Sequence, residues 1–225
     1  MDVVDPPTPA YSAQVLADGP DGYWRMNETS GTTATDLAGG NDNMFYEGGY
    51  TLNQPGGISG DPDPAVALNG TSGRVRTAST PRLGAATGVT VEALVNPVNL
   101  TPASQAIARK NGQYLVRLDN AGRVVFRLWK GGAVTELLSP SAAVAAGSWN
   151  HVAATYDGTT MRIYVNGTER AQRALAGPVD VVTNRLYIGS SDGYDYLRAT
   201  VDEVATYPAA LSAARVASHH DATTP

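Results

Sequence analysis

The sequence predicts an all-β protein built as a two-sheet antiparallel sandwich, with short helices near its two ends. Gly and Pro are frequent, at 24 and 14 of 225 residues, and only 16% of the residues are charged. Short runs rich in Val, Thr, Ile and aromatic residues recur along the chain, separated by turn residues, as is typical of strands. Because no long helical segment lies between these runs, the pattern favours antiparallel sheets over βαβ units.

The first elements are an arm, a helix and a strand. Residues 1–10 form a proline-rich arm or linker, which prolines stiffen toward an extended form. Tyr11–Ala17 is a candidate short helix, which Asp18-Gly19-Pro20 would end. Gly22–Met26, with Tyr23 and Trp24 inside it, is the first strong strand.

Strand signals then recur to the end of the chain. Between Val89 and Val95 apolar residues stand at every second position, which predicts one buried face. Asn166-Gly167 is the strongest hairpin signal, because a type I′ turn needs positive φ at both central residues. The predicted strands after the first are Ala65–Leu68, Val89–Val95, Tyr114–Leu118, Val124–Trp129, His151–Tyr156, Met161–Val165, Arg185–Ile188 and Thr200–Tyr207.

The chain closes with a helix and a tail. Ser212 is a plausible N-cap for a helix that starts at Ala213, since its hydroxyl can accept from a free backbone amide. We expect one domain over residues 11–218 and a polar tail over residues 219–225, in which His219 and His220 are solvated. The third histidine, His151, lies inside a strand and is expected to be structural and half-buried.

Composition excludes several classes of function. Cysteine is absent, so no thiol chemistry or thiolate metal site is available. The net charge is −5 and the basic residues are scattered, which argues against nucleic acid as a partner. No apolar stretch approaches the roughly 18–20 residues that span a bilayer, and Met1–Pro9 has no signal-peptide character, so we expect neither membrane insertion nor a signal peptide here.

Four segments, in order, resemble a known family. They are Gly22-Tyr23-Trp24-Arg25-Met26-Asn27-Glu28-Thr29-Ser30-Gly31, Asp36-Leu37-Ala38-Gly39-Gly40-Asn41-Asp42, Trp149-Asn150-His151-Val152-Ala153-Ala154-Thr155-Tyr156-Asp157-Gly158, and Val201-Asp202-Glu203-Val204-Ala205-Thr206-Tyr207. Together they resemble laminin-G-like, concanavalin A-like jelly-roll domains of the bacterial and phage type. The resemblance implies a jelly-roll sandwich that serves as a binding or adhesion module, and it does not name a ligand.

A second resemblance concerns the N-terminal part of the domain. Tyr11–Pro20 and the following Tyr23-Trp24-Arg25 look similar to minor tail proteins of phages that infect actinobacteria. The composition agrees with a high-GC host, since Lys110 and Lys130 are the only lysines. The resemblance implies a place on a virion surface or outside the cell.

Catalysis by paired carboxylates is not supported by the strand patterns. A glycosidase needs two carboxyl groups roughly 5–10 Å apart across its substrate. Glu92 has no acidic partner two or four residues away on its own strand face. Asp202 and Glu203 are adjacent, so on a regular strand they point to opposite faces. With no Gly-x-Ser-x-Gly motif either, the sequence predicts no catalytic residue.

A calcium ion is the cofactor that the sequence suggests, as a structural ion. The loop of residues 36–43 concentrates oxygen donors, which hard cations prefer, in Asp36, Asn41 and Asp42. The family resemblance implies that the strand with Asp202 lies near the first strands, so that Asp202 supplies a second charged ligand. The alternative is an ordinary polar turn, because Asp and Asn tolerate turn geometry.

Ligand contact is predicted at two loops. The loop over residues 190–196 combines aromatic and acidic side chains around a glycine, and a hairpin tip over residues 129–132 begins with an indole. The alternative is that these aromatic residues complete the core or cover an edge. The predicted contact residues are Trp129, Asp192, Tyr194, Asp195 and Tyr196.

The sequence therefore favours a non-catalytic glycan- or receptor-binding adhesion module of a phage tail or of an exported surface protein. Its expected partner is a cell-surface glycan or receptor, with other virion or surface-protein subunits as a further class of partner. Two alternatives stay open. One is a structural decoration or spacer domain that binds no sugar, and the other is a glycoside hydrolase.

Overall fold

The computed structural model describes residues 11–77 and 83–224, and the predicted arm over residues 1–10 lies outside them. The predicted all-β architecture is confirmed. Two antiparallel sheets of eight strands face each other, and two short helices flank them. Neither helix in the described ranges is long and apolar enough to cross a bilayer.

The first sheet, sheet I, carries the longest strands. Its spatial order is β14 (Thr168–Ala174), β13 (Thr160–Val165), β12 (Asn150–Tyr156), β7 (Val89–Pro97), β16 (Arg198–Tyr207), β5 (Ala65–Asn69) and β4 (Tyr50–Gln54), with β1 (Gly22–Trp24) also paired to β16. All its pairings are antiparallel. β12, β13 and β14 are joined in sequence as hairpins, as are β4 and β5, whereas β7 and β16 lie beside strands that are distant in sequence, as crossover connections require.

The second sheet, sheet II, is built around a run of hairpins. Its spatial order is β11 (Ala133–Leu138), β10 (Val124–Lys130), β9 (Tyr114–Leu118), β8 (Gln105–Lys110), β15 (Leu186–Ile188), β6 (Arg74–Arg76), β3 (Met44–Glu47) and β2 (Thr33–Ala34). Most of the strands that sequence reasoning missed lie here, because they are short or carry many polar residues.

The core lies between the two sheets, and the period-2 pattern explains which residues fill it. On β7, Val91 and Val95 point into the core, whereas Glu92 points to the other side of sheet I. On β10, Phe126 faces the core from sheet II, and its neighbour Arg127 faces outward. Each such buried aliphatic or aromatic side chain stabilises the fold by about 1.5–3 kcal/mol.

The predicted hairpin turns are confirmed. Asn166 and Gly167 have φ values of 51° and 71° and join β13 to β14. Gly131 and Gly132 have φ values of 57° and 76° at the tip between β10 and β11, beside Trp129. These positive φ values are what the type I′ hairpin turn demands of its two central residues.

The two helices cover the outer face of sheet I. Helix α1 spans Tyr11–Ala17, as predicted, and α2 spans Ala213–Asp221. Ser212 caps α2, its hydroxyl accepting from the Arg215 amide at 3.3 Å. Val15 of α1 belongs to a small apolar cluster on this face, and α2 adds contacts of its own.

The expectation of a solvated tail from residue 219 is wrong. Helix α2 continues past Ser218, where sequence reasoning ended the domain, and His219 is fully buried. The error has a simple cause. Val216 and His219 are three residues apart and therefore share the face of the helix that packs on the sheet.

Candidate ligand-binding face

Charged side chains accumulate on the outer face of sheet II. Five arginines point outward from its strands, and two glutamates lie among them. Glu47 binds the guanidinium of Arg74 at 2.9 Å and that of Arg76 at 2.6 Å. Glu136 pairs with Arg127 and lies 3.9 Å from Arg117. The fifth arginine, Arg109, has a different environment.

Two aromatic rings and an amide surround the guanidinium of Arg109. Its central carbon lies 5.9 Å from the ring centroid of Trp129 and 5.2 Å from that of Tyr194. It donates one hydrogen bond to the Tyr194 hydroxyl and one to Oδ1 of Asn111, at 2.8 Å. The guanidinium carbon of Arg127 lies 5.6 Å from the Trp129 ring centroid. Arg109 thus joins two of the aromatic residues that the sequence predicted as contacts.

The charge of Arg109 is buried and incompletely satisfied. The residue is only 8% exposed, its Nε has no hydrogen-bond partner, and it makes no ion pair with a carboxylate in the described ranges. Burying a charge without a counter-charge is costly, and each cation–π contact offsets about 0.5–2 kcal/mol. We define the Arg109 cluster as Arg109, Asn111, Trp129 and Tyr194.

A small pocket adjoins the Arg109 cluster. It has a volume of about 200 Å³ and is lined by Asn111, Asn184, Arg185, Tyr187 and Asp192. Asn111 connects the two features, because its side chain accepts from Arg109 and its carbonyl accepts from Asn184 at 2.8 Å. The pocket therefore offers amide, guanidinium and carboxylate groups beside a cation that lies close to two aromatic rings.

The loop after β15 is built to present Tyr194. The Ser191 amide donates to the Tyr194 carbonyl at 2.7 Å, and Asp192 takes a φ of 60°, which closes a tight turn. The Asp195 carbonyl accepts from Ala106 at 2.8 Å and ties the loop to β8. Tyr194 is consequently 52% exposed at the tip of an anchored loop.

The predicted contact residues are thus only partly brought together. Trp129 and Tyr194 meet at Arg109, and Asp192 lines the pocket. Asp195 makes its visible contact through its backbone, and Tyr196 is half-buried, without a ring contact to the cluster in the described part of the chain. Sequence reasoning missed Arg109, because its strand, Gln105–Lys110, contains no aromatic residue or turn motif that would mark a binding site.

The loop predicted to bind calcium is organised by one carboxylate. Asp36 is buried and accepts backbone N–H donors from Tyr23 (3.1 Å), Ala38 (2.9 Å), Gly40 (3.2 Å) and Asp42 (3.1 Å). In the described ranges no group of three or more acidic or histidine side chains is placed to hold a metal ion. Asn41 has a φ of 56°, in keeping with a turn role. The calcium ion stays a prediction.

Asp202 lies in a different environment from Asp36. Its Oδ2 accepts from the Gly57 amide at 2.8 Å, and no contact in the described ranges joins it to Asp36. Burial, and then the charge of Glu203, raise the pKa of Asp202 well above its ordinary value. The expectation that Asp202 and Glu203 point to opposite faces is wrong, because a β-bulge with φ = 50° at Glu203 interrupts the alternation.

The guanidinium of Arg25 pairs with three acidic side chains next to Asp202. Arg25 lies 2.7 Å from Glu203 and 2.8 Å from Asp61, and it also pairs with Asp63. The Tyr23 hydroxyl donates to the second oxygen of Glu203. Glu203 is buried and fully engaged, so this acidic group holds the β16 bulge to its surroundings.

A second buried charge network lies under helix α2. The Glu92 carboxylate is hydrogen-bonded to His151 Nε2 at 3.2 Å and to His219 Nδ1 at 3.1 Å. It also accepts a hydrogen bond from the Tyr207 hydroxyl. His219 Nε2 also lies 2.9 Å from Asp18, as an ion pair. Burial raises the pKa of Glu92, but hydrogen bonds from the two histidines outweigh it and bring the pKa to about 2. We define these five residues as the Glu92 network.

The comparisons with known proteins agree with the jelly-roll sandwich. A laminin G family model, described as the concanavalin A-like lectin/glucanases superfamily, matches residues 69–217. Since this match spans more than half of the chain, the protein belongs to the concanavalin A-like lectin/glucanase superfamily. A search of curated proteins gave no match.

Solved structures with the same fold include toxin binding domains. The binding domain of Paraclostridial Mosquitocidal Protein 1 is 14% identical, with a TM-score of 0.71 over 91% of this chain and 52% of that one. The binding domain of botulinum neurotoxin DC in complex with SialylT is 15% identical, with a TM-score of 0.70 over 92% and 52%. The chain therefore spans about half the length of these structures, and at such identities the likeness concerns the fold.

Proposed function

We propose that this protein is a non-catalytic glycan- or receptor-binding module and that the outer face of sheet II, at the Arg109 cluster, is its contact surface. The observation that carries the proposal is a buried guanidinium between an indole and a phenol, next to a pocket of about 200 Å³. Sugar-binding sites need an apolar ring face for C–H groups and a few placed polar groups for hydroxyls. The Arg109 cluster supplies both.

The position of the cluster on the fold supports this function. Trp129 lies on β10 and Arg109 on β8, and both strands pair with β9 between them in one sheet. Tyr194 lies on an anchored loop beside them. A site held by rigid elements loses little conformational entropy when it binds a ligand. In the described ranges both helices lie against sheet I. Neither of them covers the outer face of sheet II, so a large partner such as a cell-surface glycan can reach it.

Catalysis is not part of the proposal. Glu47 and Glu136 on this face pair with arginines, and Asp192 in the pocket is directed to Tyr187. On the open face, hydrogen bonds from Arg76 and Arg74 lower the pKa of Glu47, which makes it a poor proton donor. Glu203 and Glu92 are buried within their networks, out of reach of a polysaccharide. A glycosidase needs two carboxyl groups that both reach the scissile bond.

The setting outside a cell is part of the same proposal. Two structural neighbours are, by name, binding domains of toxins, and one was solved in complex with SialylT. SialylT is a ligand of that neurotoxin domain. The complex supports a binding role for proteins of this fold. The resemblance of Tyr11–Pro20 to phage tail proteins favours a virion surface, with an exported bacterial surface protein as the other setting.

A glycan array tests the proposal. We expect reproducible binding by the wild-type chain and a loss of about tenfold or more for Trp129→Ala and for Tyr194→Ala, since each ring contributes about 1–2 kcal/mol of contact. Leu37→Ala is the matched control, because Leu37 is also exposed and apolar but lies on a loop next to β1. Equal binding by all four proteins moves the site off this face, and binding to nothing favours the spacer alternative.

A further inference from the structure

Arg109 is a buried cation that makes no ion pair with a carboxylate in the part of the chain that the structure describes. Other arginines of the molecule have one: Arg25 pairs with Asp61, Arg162 with Asp157 and Arg215 with Asp18, at 2.7–2.8 Å. Arg109 is as inaccessible as the best buried of these, yet its contacts within the described ranges are two aromatic rings, a hydroxyl and an amide oxygen.

We propose that the ligand of this face carries an anionic group, and that Arg109 binds that group as the specificity-determining residue. The ligand class is a saccharide with a carboxylate, sulfate or phosphate substituent. This inference rests on the proposed function and narrows it, since a neutral sugar needs no buried guanidinium.

The geometry of the guanidinium supports an anion in its plane. Arginine has several N–H donors in a flat fork, and here one Nη1 and one Nη2 donor are used by Tyr194 and Asn111. The Trp129 ring centroid lies 5.9 Å from the guanidinium carbon. A planar or tetrahedral oxyanion that meets the remaining Nη donors forms short, charge-assisted hydrogen bonds, which are about twice as strong as neutral ones.

The neighbouring groups fit the rest of such a ligand. The pocket next to the cluster presents the amides of Asn111 and Asn184 and the guanidinium of Arg185. Asp192 is the carboxylate in this pocket, and after burial its hydrogen bond is the main cause that raises the pKa of Tyr187. Asp192 is therefore directed to Tyr187, and Asn111 connects the pocket to Arg109.

The test compares saccharides of matched length that are carboxylated, sulfated, phosphorylated or neutral, using titration calorimetry with the whole chain. We expect one anionic class to bind, with an affinity that falls as salt is raised, because salt screens the charge on a partly open site. Arg109→Gln should weaken binding on the order of 10- to 100-fold, and Arg109→Lys should restore only part of it, because Lys keeps the charge and loses the fork.

The controls separate this inference from the proposed function. Arg170→Gln removes the same charge from an exposed position on β14 and should leave binding unchanged. If neutral saccharides bind equally well and Arg109→Gln binds normally while Trp129→Ala fails, the face is a binding site but the anion inference is wrong. If no saccharide of any class binds, the proposed function and the inference both fail. Thermal melting of each variant confirms that it is folded.

Discussion

Each outer face of the sandwich holds a buried charged residue, and the surroundings of these two residues differ. On sheet I, Glu92 is 1% exposed and receives hydrogen bonds from two histidines and a tyrosine. On sheet II, Arg109 is 8% exposed and lies between rings, with an Nε that has no partner in the described ranges. The fold itself supplies the hydrogen bonds that the Glu92 carboxylate accepts, whereas the charge of Arg109 has no carboxylate partner in the described ranges.

The two faces also differ in what covers them: helices cover the outer face of sheet I, and a loop borders the Arg109 cluster on sheet II. Helices α1 and α2 seal the Glu92 network, and His219 of α2 is itself one of its members. The Arg109 cluster is bordered by a loop whose tip, Tyr194, is exposed. The difference indicates that α1 and α2 stabilise the fold on sheet I, and it leaves the proposed contact surface on sheet II without a helix over it.

The largest effect should come from Glu92→Ala. Removing the acceptor leaves His151, His219 and Tyr207 with buried donors, and breaking such a network costs about 3–5 kcal/mol. Chemical denaturation measures the free energy of unfolding. Arg109→Gln is the paired variant, and its loss should stay below about 1 kcal/mol because no ion pair is broken. Equal losses for the two variants would end the distinction between the faces.

Asp36→Ala should have the next largest effect. Asp36 resembles Glu92 in that its oxygens are supplied with donors, here four backbone amides. Hydrogen bonds to a charged group contribute about 1.5–3 kcal/mol, so we expect a loss of about 2–3 kcal/mol in calorimetric melting.

The same variant tests the calcium prediction. If the loop holds calcium, the wild-type melting temperature is higher in calcium than in chelator, and Asp36→Ala removes that difference. A wild-type protein that melts identically in both buffers eliminates the calcium site and leaves the role of Asp36 in the loop intact.

The Glu92 network should make stability depend on pH. Burial lowers the pKa of His219, but its hydrogen bond with Glu92 and the charges of Glu92 and Asp18 outweigh burial and raise it above 6.5. Because the pKa of His219 is higher in the folded than in the unfolded protein, protonated His219 contributes fully to the stability of the fold below pH 6.5. This contribution is lost as pH rises through the pKa of the folded state. Glu92 has a lowered pKa, so its contribution is present above about pH 4.5 and is lost as pH falls toward about 2.

Thermal melting between pH 5 and pH 9 tests this, with His219→Asn as the comparison. The wild-type protein should lose stability as pH rises above about 6.5, and the variant should lose less. The raised pKa of Asp202 adds a second decline in the same direction, which both proteins share, so the difference between them isolates His219. Parallel curves for the two proteins would contradict the role of His219.

The smallest effect should come from Ser212→Ala at the start of α2. Loss of an N-cap side chain costs about 1 kcal/mol, and here it removes the acceptor for the Arg215 amide. Hydrogen exchange should show faster opening of α2 with little change at the Arg109 cluster. Faster exchange at both places would mean that the two faces are coupled.

Much of the fold could be predicted from local patterns. The alternation over Val89–Val95, the Asn166-Gly167 turn and the Ser212 cap each depend on residues that are close in sequence. The strands that were missed, such as Arg74–Arg76, are too short for periodicity to show. Trp129 and Tyr194 could be nominated as contacts because exposed aromatic residues near turns are distinctive.

The sequence by itself determined many of the strands, the hairpin turns and the class of sandwich, because these follow from side-chain periodicity and local backbone preference. Only the tertiary structure decided that Arg109 lies between Trp129 and Tyr194. It also decided that a histidine near the C-terminus completes the environment of Glu92. Such meetings depend on strand order and register between distant segments, and no local pattern carries that information.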